Sequence, residues 1–257
     1  MRKRPFSKPW GTSGKLLRNG FLVRAIGEED HGLIQDFMRD YWASPHSDEF
    51  FDNFEHRFET VFLRHHAGIL EEISKVVQEF GVETPRLVEV GVGDGRVLSY
   101  LESKLDLIGE FHGVDINAEQ IESNREKFRQ NPKLHFWNED ALHWLIRRPA
   151  AGTVLLTNGG VLEYFTRDQI LGLFEELKRG NQPCAVAVTE TLAIDHDLNG
   201  EPASFPYGHE LSFSHNYKAL FEESGFVIRF SKDRFTIEGE EHHPTRWCQF
   251  LATVDES

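Results

Sequence analysis

From Arg86 to the end of the chain, short apolar runs of strand length alternate with longer stretches of helical periodicity. Strands are predicted at Arg86–Val92, Glu110–Ile116, Lys133–Asn138, Thr153–Asn158, Cys184–Glu190, Phe226–Phe235 and Arg246–Val254. Helical patterns near Arg96–Leu105, Ala118–Arg129, Ala141–Arg147 and Arg167–Lys178 separate the first five, and Ser214 is a natural N-cap for another helix that Gly225 ends. Steady alternation of this kind predicts an α/β chain, a parallel sheet wound on both faces by helices. The last two strands are joined only by the polar "EGEEHHPT", which predicts an antiparallel hairpin at the sheet's edge.

The region before Pro85 reads differently. Residues 1–30 carry the turn-rich "KPWGTSGK" and "GEEDHG" and predict an N-terminal arm. Residues 31–83 are helical in pattern: Leu33, Ile34, Phe37, Met38 and Tyr41 share a face, as do Ile69, Ile73, Val76, Val77 and Phe80. Phe50, Phe51, Phe54, Phe58 and Phe62 recur at the same spacing, and aromatics so placed are read as core.

Composition narrows the function. The 257 residues hold 28 Lys and Arg against 42 Asp and Glu, a formal charge of −14, whereas a protein tracking phosphates needs a clustered basic face. No nucleic-acid partner is expected. Arg2-Lys3-Arg4 is followed by no apolar run, so neither a signal peptide nor a membrane anchor is read there. Two cysteines, Cys184 and Cys248, lie in apolar strand-like stretches and are expected as buried thiols of a cytoplasmic protein. His65-His66 and His242-His243 lack partners at zinc spacing; solvated histidines and no metal are expected.

The first predicted strand ends in "LVEVGVGDGRV". A nicotinamide-binding loop requires G-x-G-x-x-G, with a helix N-terminus facing a diphosphate. Here Gly91, Gly93 and Gly95 alternate, and Arg96 stands where the third glycine would be. The glycines would instead clear room for a ligand without a phosphate. "VEVGVGDGR" resembles the first motif of the class I S-adenosylmethionine-dependent methyltransferases. Further elements follow in register: "FHGVDIN", "LHFWNEDAL", "VLLTNGGVLEYF" and "SFSHNYKALFEESGFVIRF". The resemblance covers residues 84 to 254 and implies a Rossmann-like, seven-stranded sheet with its last strand antiparallel, the helical 31–83 segment capping the substrate side. It implies S-adenosyl-L-methionine as cofactor, with Asp115 and the neighbouring Ile116 at the ribose, Asp140 and Ala141 at the adenine, and Glu89, Gly91, Gly93 and Asn158 along the amino-acid portion.

The residues themselves permit this. A carboxylate at a strand tip accepts two hydroxyls, although Asp115 and Asp140 are also good helix caps and Asn117 is a third. Glu89 inside an apolar strand demands a polar partner. Methyl transfer from a sulfonium is an in-line displacement, so the protein's task is alignment and exclusion of water, with a base only for a protonated acceptor. The acceptor pocket is expected from "DYWASPHSDEFFDNFEHRF" and from a lid insertion at about 191–212. Tyr41, Trp42, His46, Tyr164, Glu190, Tyr207 and His215 are the expected lining, and His209 followed by Glu163 the candidate base. "NGGV" replaces the Asn-Pro-Pro-aromatic signature of enzymes that methylate base amines, a second argument against nucleic acid. The expected activity is O- or N-methylation of a small molecule by a protein that could be a homodimer. A cofactor-binding regulator without transferase activity, and an NAD(P)-dependent oxidoreductase, are the alternatives.

Overall fold

The computed structural model describes residues 20–21, 23–25, 27–28, 30–43, 54–207, 212–237 and 245–254. Helices are His31–Trp42 (α1), Phe54–Arg57 (α2), a π-helix at Phe58–His66 and Ile69–Glu79 (α3). The alternating region then runs Arg86–Val90 (β1), Arg96–Glu102 (α4), Glu110–Asp115 (β2), Ala118–Lys127 (α5), Leu134–Asn138 (β3), Ala141–Arg147 (α6) and Thr153–Asn158 (β4). Arg167–Asn181 (α7) and Cys184–Ala193 (β5) follow, then Phe205–Tyr207 (β6), Ser212–Ser214 (β7), Tyr217–Glu223 (α8), Phe226–Phe235 (β8) and Thr245–Val254 (β9).

Seven strands form one sheet in the order β3-β2-β1-β4-β5-β9-β8. The first five are parallel, and β9 runs antiparallel to both β5 and β8. This is the doubly wound sheet with a reversed last strand. Every residue of β1 is buried because helices cover both faces. Alternation along the strands sends Leu87, Val154 and Leu156 to Ile73, Leu98 and Ile121 on one side. Val88, Val186 and Phe250 meet Trp144, Leu173 and Phe221 on the other. Both cysteines are buried thiols. No described helix is long and apolar enough to cross a membrane.

Three local expectations are corrected. Ser214 does not cap a helix: it closes β7, its hydroxyl accepting from the Ala193 N–H at 2.9 Å, and Asn216 caps α8 by accepting from Ala219. Strand β5 runs past Glu190 to Ala193 because Thr191 and Ala193 pair with Trp247 and Thr245 of β9. His66 is buried at the end of the π-helix rather than solvated, while His242-His243 lie outside the described residues.

The cap is fastened where the sheet's strands end. Ile34, Phe37 and Met38 of α1 pack on Phe213 of β7, with Tyr164 against the same cluster. The Asn117 side chain donates to the Trp42 carbonyl at 3.3 Å, and Arg39 lies 3.4 Å from Asp140. From the π-helix, His66 bonds Asn158 at the tip of β4, and its carbonyl accepts from Gln249 of β9. The residues that follow β5, 194–201, are likewise pinned. His196 bonds the Ser214 hydroxyl and the Glu201 carbonyl, and Asn216 donates to the carbonyls of Leu198 and Glu201.

Candidate functional site

A cavity of about 910 Å³ opens beyond the carboxyl ends of β1, β2 and β4, where strand order reverses, under the roof of α1 and the π-helix. Ligands of open α/β sheets bind at this position. Its floor is the glycine turn. Gly91 has φ +70°, and a Cβ there would lie 2.7 Å from Cγ2 of Val161. Gly93 (φ 51°) leaves its N–H to Oδ2 of Asp115 at 3.0 Å and its carbonyl to Asn124 at 2.6 Å. Gly95 faces away, towards Phe128 and Phe136, so the third glycine serves packing and not a ligand.

Acids gather at this end. Asp115 spends one oxygen on Gly93 and the other on the Asn117 N–H at 2.9 Å, which leaves further lone pairs on both. Burial raises its carboxyl despite these amides. Burial also holds Glu89 well above the usual carboxylate range, with Asp94 and Asp115 adding to the effect, and its Oε2 has no hydrogen-bond partner. Asp140 caps α6 through the N–H groups of Leu142 and His143 and turns its other oxygen to Arg39. Ile116, Ala141 and Asn158 complete the residues expected here, and all eight line the one cavity.

The far end is aromatic and hydroxylic. Phe58, Phe62, Tyr164 and Trp247 face a chain of hydrogen bonds in which the Tyr207 hydroxyl donates to Thr191 at 2.8 Å. Thr191 donates in turn to Oε2 of Glu163 at 2.7 Å. Of the expected acceptor residues, Trp42, Glu163, Tyr164 and Tyr207 line the cavity. Tyr41 packs edge-on against Trp42 outside the lining. His46 and His209 lie outside the described residues, although Tyr207 and Ser212, which bracket His209, both reach the cavity.

Glu190 and His215 were expected in the lining; both stand behind it, fully buried. Oε2 of Glu190 accepts the N–H groups of Val161 and Leu162 at 2.9 and 3.0 Å. His215 donates from Nε2 to the carbonyls of Leu162 and Phe165, both at 3.1 Å, and Nδ1 meets the Ser204 hydroxyl at 2.7 Å. The nitrogen facing two carbonyls must carry the proton, and burial lowers the ring to about 3, so it stays neutral.

Sequence reasoning missed His66, Thr191, Trp247 and the cavity side of Phe58 and Phe62. The phenylalanine spacing told of a helix but not that its stripe faces a hollow as well as Tyr100 of α4. His66 donates from Nδ1 to Oδ1 of Asn158 at 3.0 Å and is lowered to about 3 by burial, which makes it a neutral anchor. Nothing local in "RHHAG" announces that role. Among the described residues no group of three or more His, Cys, Asp or Glu could hold a metal ion.

Glu190 makes a pH prediction. Burial, with the Glu163 charge adding, pushes its carboxyl from 4.5 up to about 8. Between those values the folded chain holds a proton that the unfolded chain has released. The resulting stability is complete below pH 4.5 and is lost as pH rises through 8. Buried His66, His112 and His215 are lowered, to about 3, 4 and 3, and act oppositely but only below about 6.5. Tyr207, Tyr217 and Cys248, which face Glu190, are raised and neutral in this window. Urea unfolding from pH 6.5 to 8 should therefore show wild-type stability falling relative to Glu190→Gln, by up to about 1.4 kcal/mol per pH unit. Parallel curves would show that Glu190 is already ionised.

Residues 87–183 match the family model of a methyltransferase domain. No curated protein matches the chain. Among solved structures, the magnesium protoporphyrin IX methyltransferase of Synechocystis PCC 6803 with bound SAM is similar over 86% of this chain and 97% of its own, at 12% identity and a TM-score of 0.55. A SAM-dependent methyltransferase of Leishmania major is similar over 87% and 82%, at 12% identity and a TM-score of 0.57. Another from Clostridium acetobutylicum is similar over 79% and 98%, at 11% and 0.54. These likenesses are of fold: the sheet and helices just described are those of the class I S-adenosylmethionine-dependent methyltransferases.

Proposed function

We propose that this class I methyltransferase domain transfers the methyl group of S-adenosylmethionine to an oxygen or nitrogen of a small molecule. One observation carries the reading: a single roofed cavity joins the strand-tip acids Glu89, Asp115 and Asp140 to the aromatic chamber of Phe62, Tyr164, Tyr207 and Trp247. Its volume is that of a small-molecule pocket. The acid end fits the cofactor. A buried carboxyl at Glu89 with an unpartnered oxygen suits a cationic amino group, and the two oxygens of Asp115 suit vicinal hydroxyls. When bound, the cofactor supplies a methyl group already activated by its sulfonium.

The chain's residues then have separate tasks. Gly91 and Gly93 admit the ligand close to the main chain, while Ile116 and Ala141 offer apolar contact beside Asp140. The π-helix and α1 cover the chamber, and would limit the access of water to the reacting atoms. Glu163, oriented by Thr191, is placed to accept a proton from an acceptor that arrives protonated, and His209 is a second candidate from the segment between Tyr207 and Ser212.

The test uses the full chain. S-adenosylhomocysteine should raise its melting temperature while NADH leaves it unchanged. Tritiated S-adenosylmethionine should pass label into the small-molecule fraction of a cell extract and not into protein or nucleic acid. Stabilisation by NADH would point to hydride transfer, and binding without label transfer to a regulator.

A further inference from the structure

The turn between β4 and α7 displays Glu163 and Tyr164 to the cavity, yet it begins with two glycines at φ +88° and +84°. Main chain in that conformation has little intrinsic preference to stay in one place. Its short helical turn, Leu162–Tyr164, also starts with N–H groups that no internal carbonyl can satisfy. The structure meets both needs from outside the cavity. Glu190 accepts the Val161 and Leu162 N–H groups at the start of the turn. His215 donates to the Leu162 and Phe165 carbonyls at its end and is oriented by Ser204. Both side chains are completely buried.

We infer that Glu190 and His215 are positioning residues for methyl transfer, gripping the Val161–Phe165 backbone from both ends so that Glu163 and Tyr164 stand at fixed points of the acceptor chamber. The inference rests on the methyltransferase reading for its consequence in catalysis, though not for the grip itself. Strand β5 makes the arrangement economical. Successive side chains point to opposite faces, so Glu190 takes the main chain of the turn while its neighbour Thr191 takes the Glu163 carboxylate at 2.7 Å. On the cavity side Glu163 lies close over the turn, since a Cβ on Gly160 would fall 2.4 Å from its Oε1. Burial raises the Glu190 carboxyl, consistent with a neutral acid, and its second oxygen, Oε1, makes no hydrogen bond. Glutamine keeps the length and the lack of charge, with a carbonyl for the two N–H groups.

The full chain and three variants decide it. Hydrogen exchange of the Val161 and Leu162 amides should quicken at least about ten-fold in Glu190→Ala and stay near wild type in Glu190→Gln. Initial transfer of label from tritiated S-adenosylmethionine into a small-metabolite extract should fall about ten-fold or more in Glu190→Ala. It should largely recover in Glu190→Gln, with S-adenosylhomocysteine affinity within about two-fold throughout, a split that general damage would not produce. His215→Phe keeps the ring's volume, loses both donations and should lower transfer in the same way, which preserves the test should Glu190→Ala not fold. Unchanged exchange and transfer in Glu190→Ala and His215→Phe overturn the inference, as does a parallel loss of cofactor affinity. If wild type transfers no label while Glu190→Ala exchange still quickens, the methyltransferase reading fails and the grip remains.

Discussion

Asp115→Ala is expected to weaken binding of S-adenosylhomocysteine by about a hundred-fold while the chain remains folded. Two hydroxyl hydrogen bonds to a charged acceptor contribute about 1.5 kcal/mol each at the low end, and about 3 kcal/mol is two orders of magnitude in affinity. Each oxygen of Asp115 already holds one backbone N–H, from Gly93 and Asn117, so the variant also loosens the glycine turn. Asp115→Asn tells the two losses apart. One oxygen remains to accept an N–H, whereas two acceptors for vicinal hydroxyls do not. Titration calorimetry reads the affinities and circular dichroism the fold. Undiminished affinity in Asp115→Ala would remove the residue from the binding site.

Gly91→Ala should cost about 2 kcal/mol of stability, which for a domain of this size lowers the melting temperature by roughly 4–8 °C. Two causes add. The backbone sits at φ +70°, and the new Cβ would lie 2.7 and 2.8 Å from the two methyls of Val161. Val161 cannot easily retreat, because its N–H is held by Glu190. Trimming the neighbour separates the causes: in Gly91→Ala with Val161→Ala, the steric part should vanish and the backbone part persist. A melting temperature for Gly91→Ala within a degree of wild type would show that the turn has more freedom than its contacts suggest.

What the sequence made legible follows from which interactions are local. Strand and helix positions were readable because burial on both faces leaves continuous apolar runs, as in Val154–Leu156 and Cys184–Val188. Caps were readable where one side chain serves its own helix, as with Asn117 and Asp140. Ser214 misled for the same reason: a serine before a helical pattern is a good local cap, and only the distant Ala193 N–H explains why it does otherwise. That the acids gather at one end of the cavity was legible because one turn and the ends of neighbouring strands assemble them. The aromatic end draws on the π-helix, the turn after β4, β5, β6 and β9, and no short stretch records that Trp247 and His66 come together with ring centroids 4.7 Å apart. Glu190 and His215 are expected in the lining, yet periodicity cannot say whether a side chain ends in the cavity or one layer beneath it.

The Asp140–Arg39 contact links the two ends of the molecule's work. Asp140 belongs to the floor and Arg39 to the roof, and they meet at 3.4 Å across the rim of the hollow. Where a ligand group competes with Arg39 for the outward oxygen of Asp140, the free energy by which the contact seats α1 is also the free energy by which it opposes that ligand. Occupancy at the floor and the hold on the roof would then be two readings of one equilibrium.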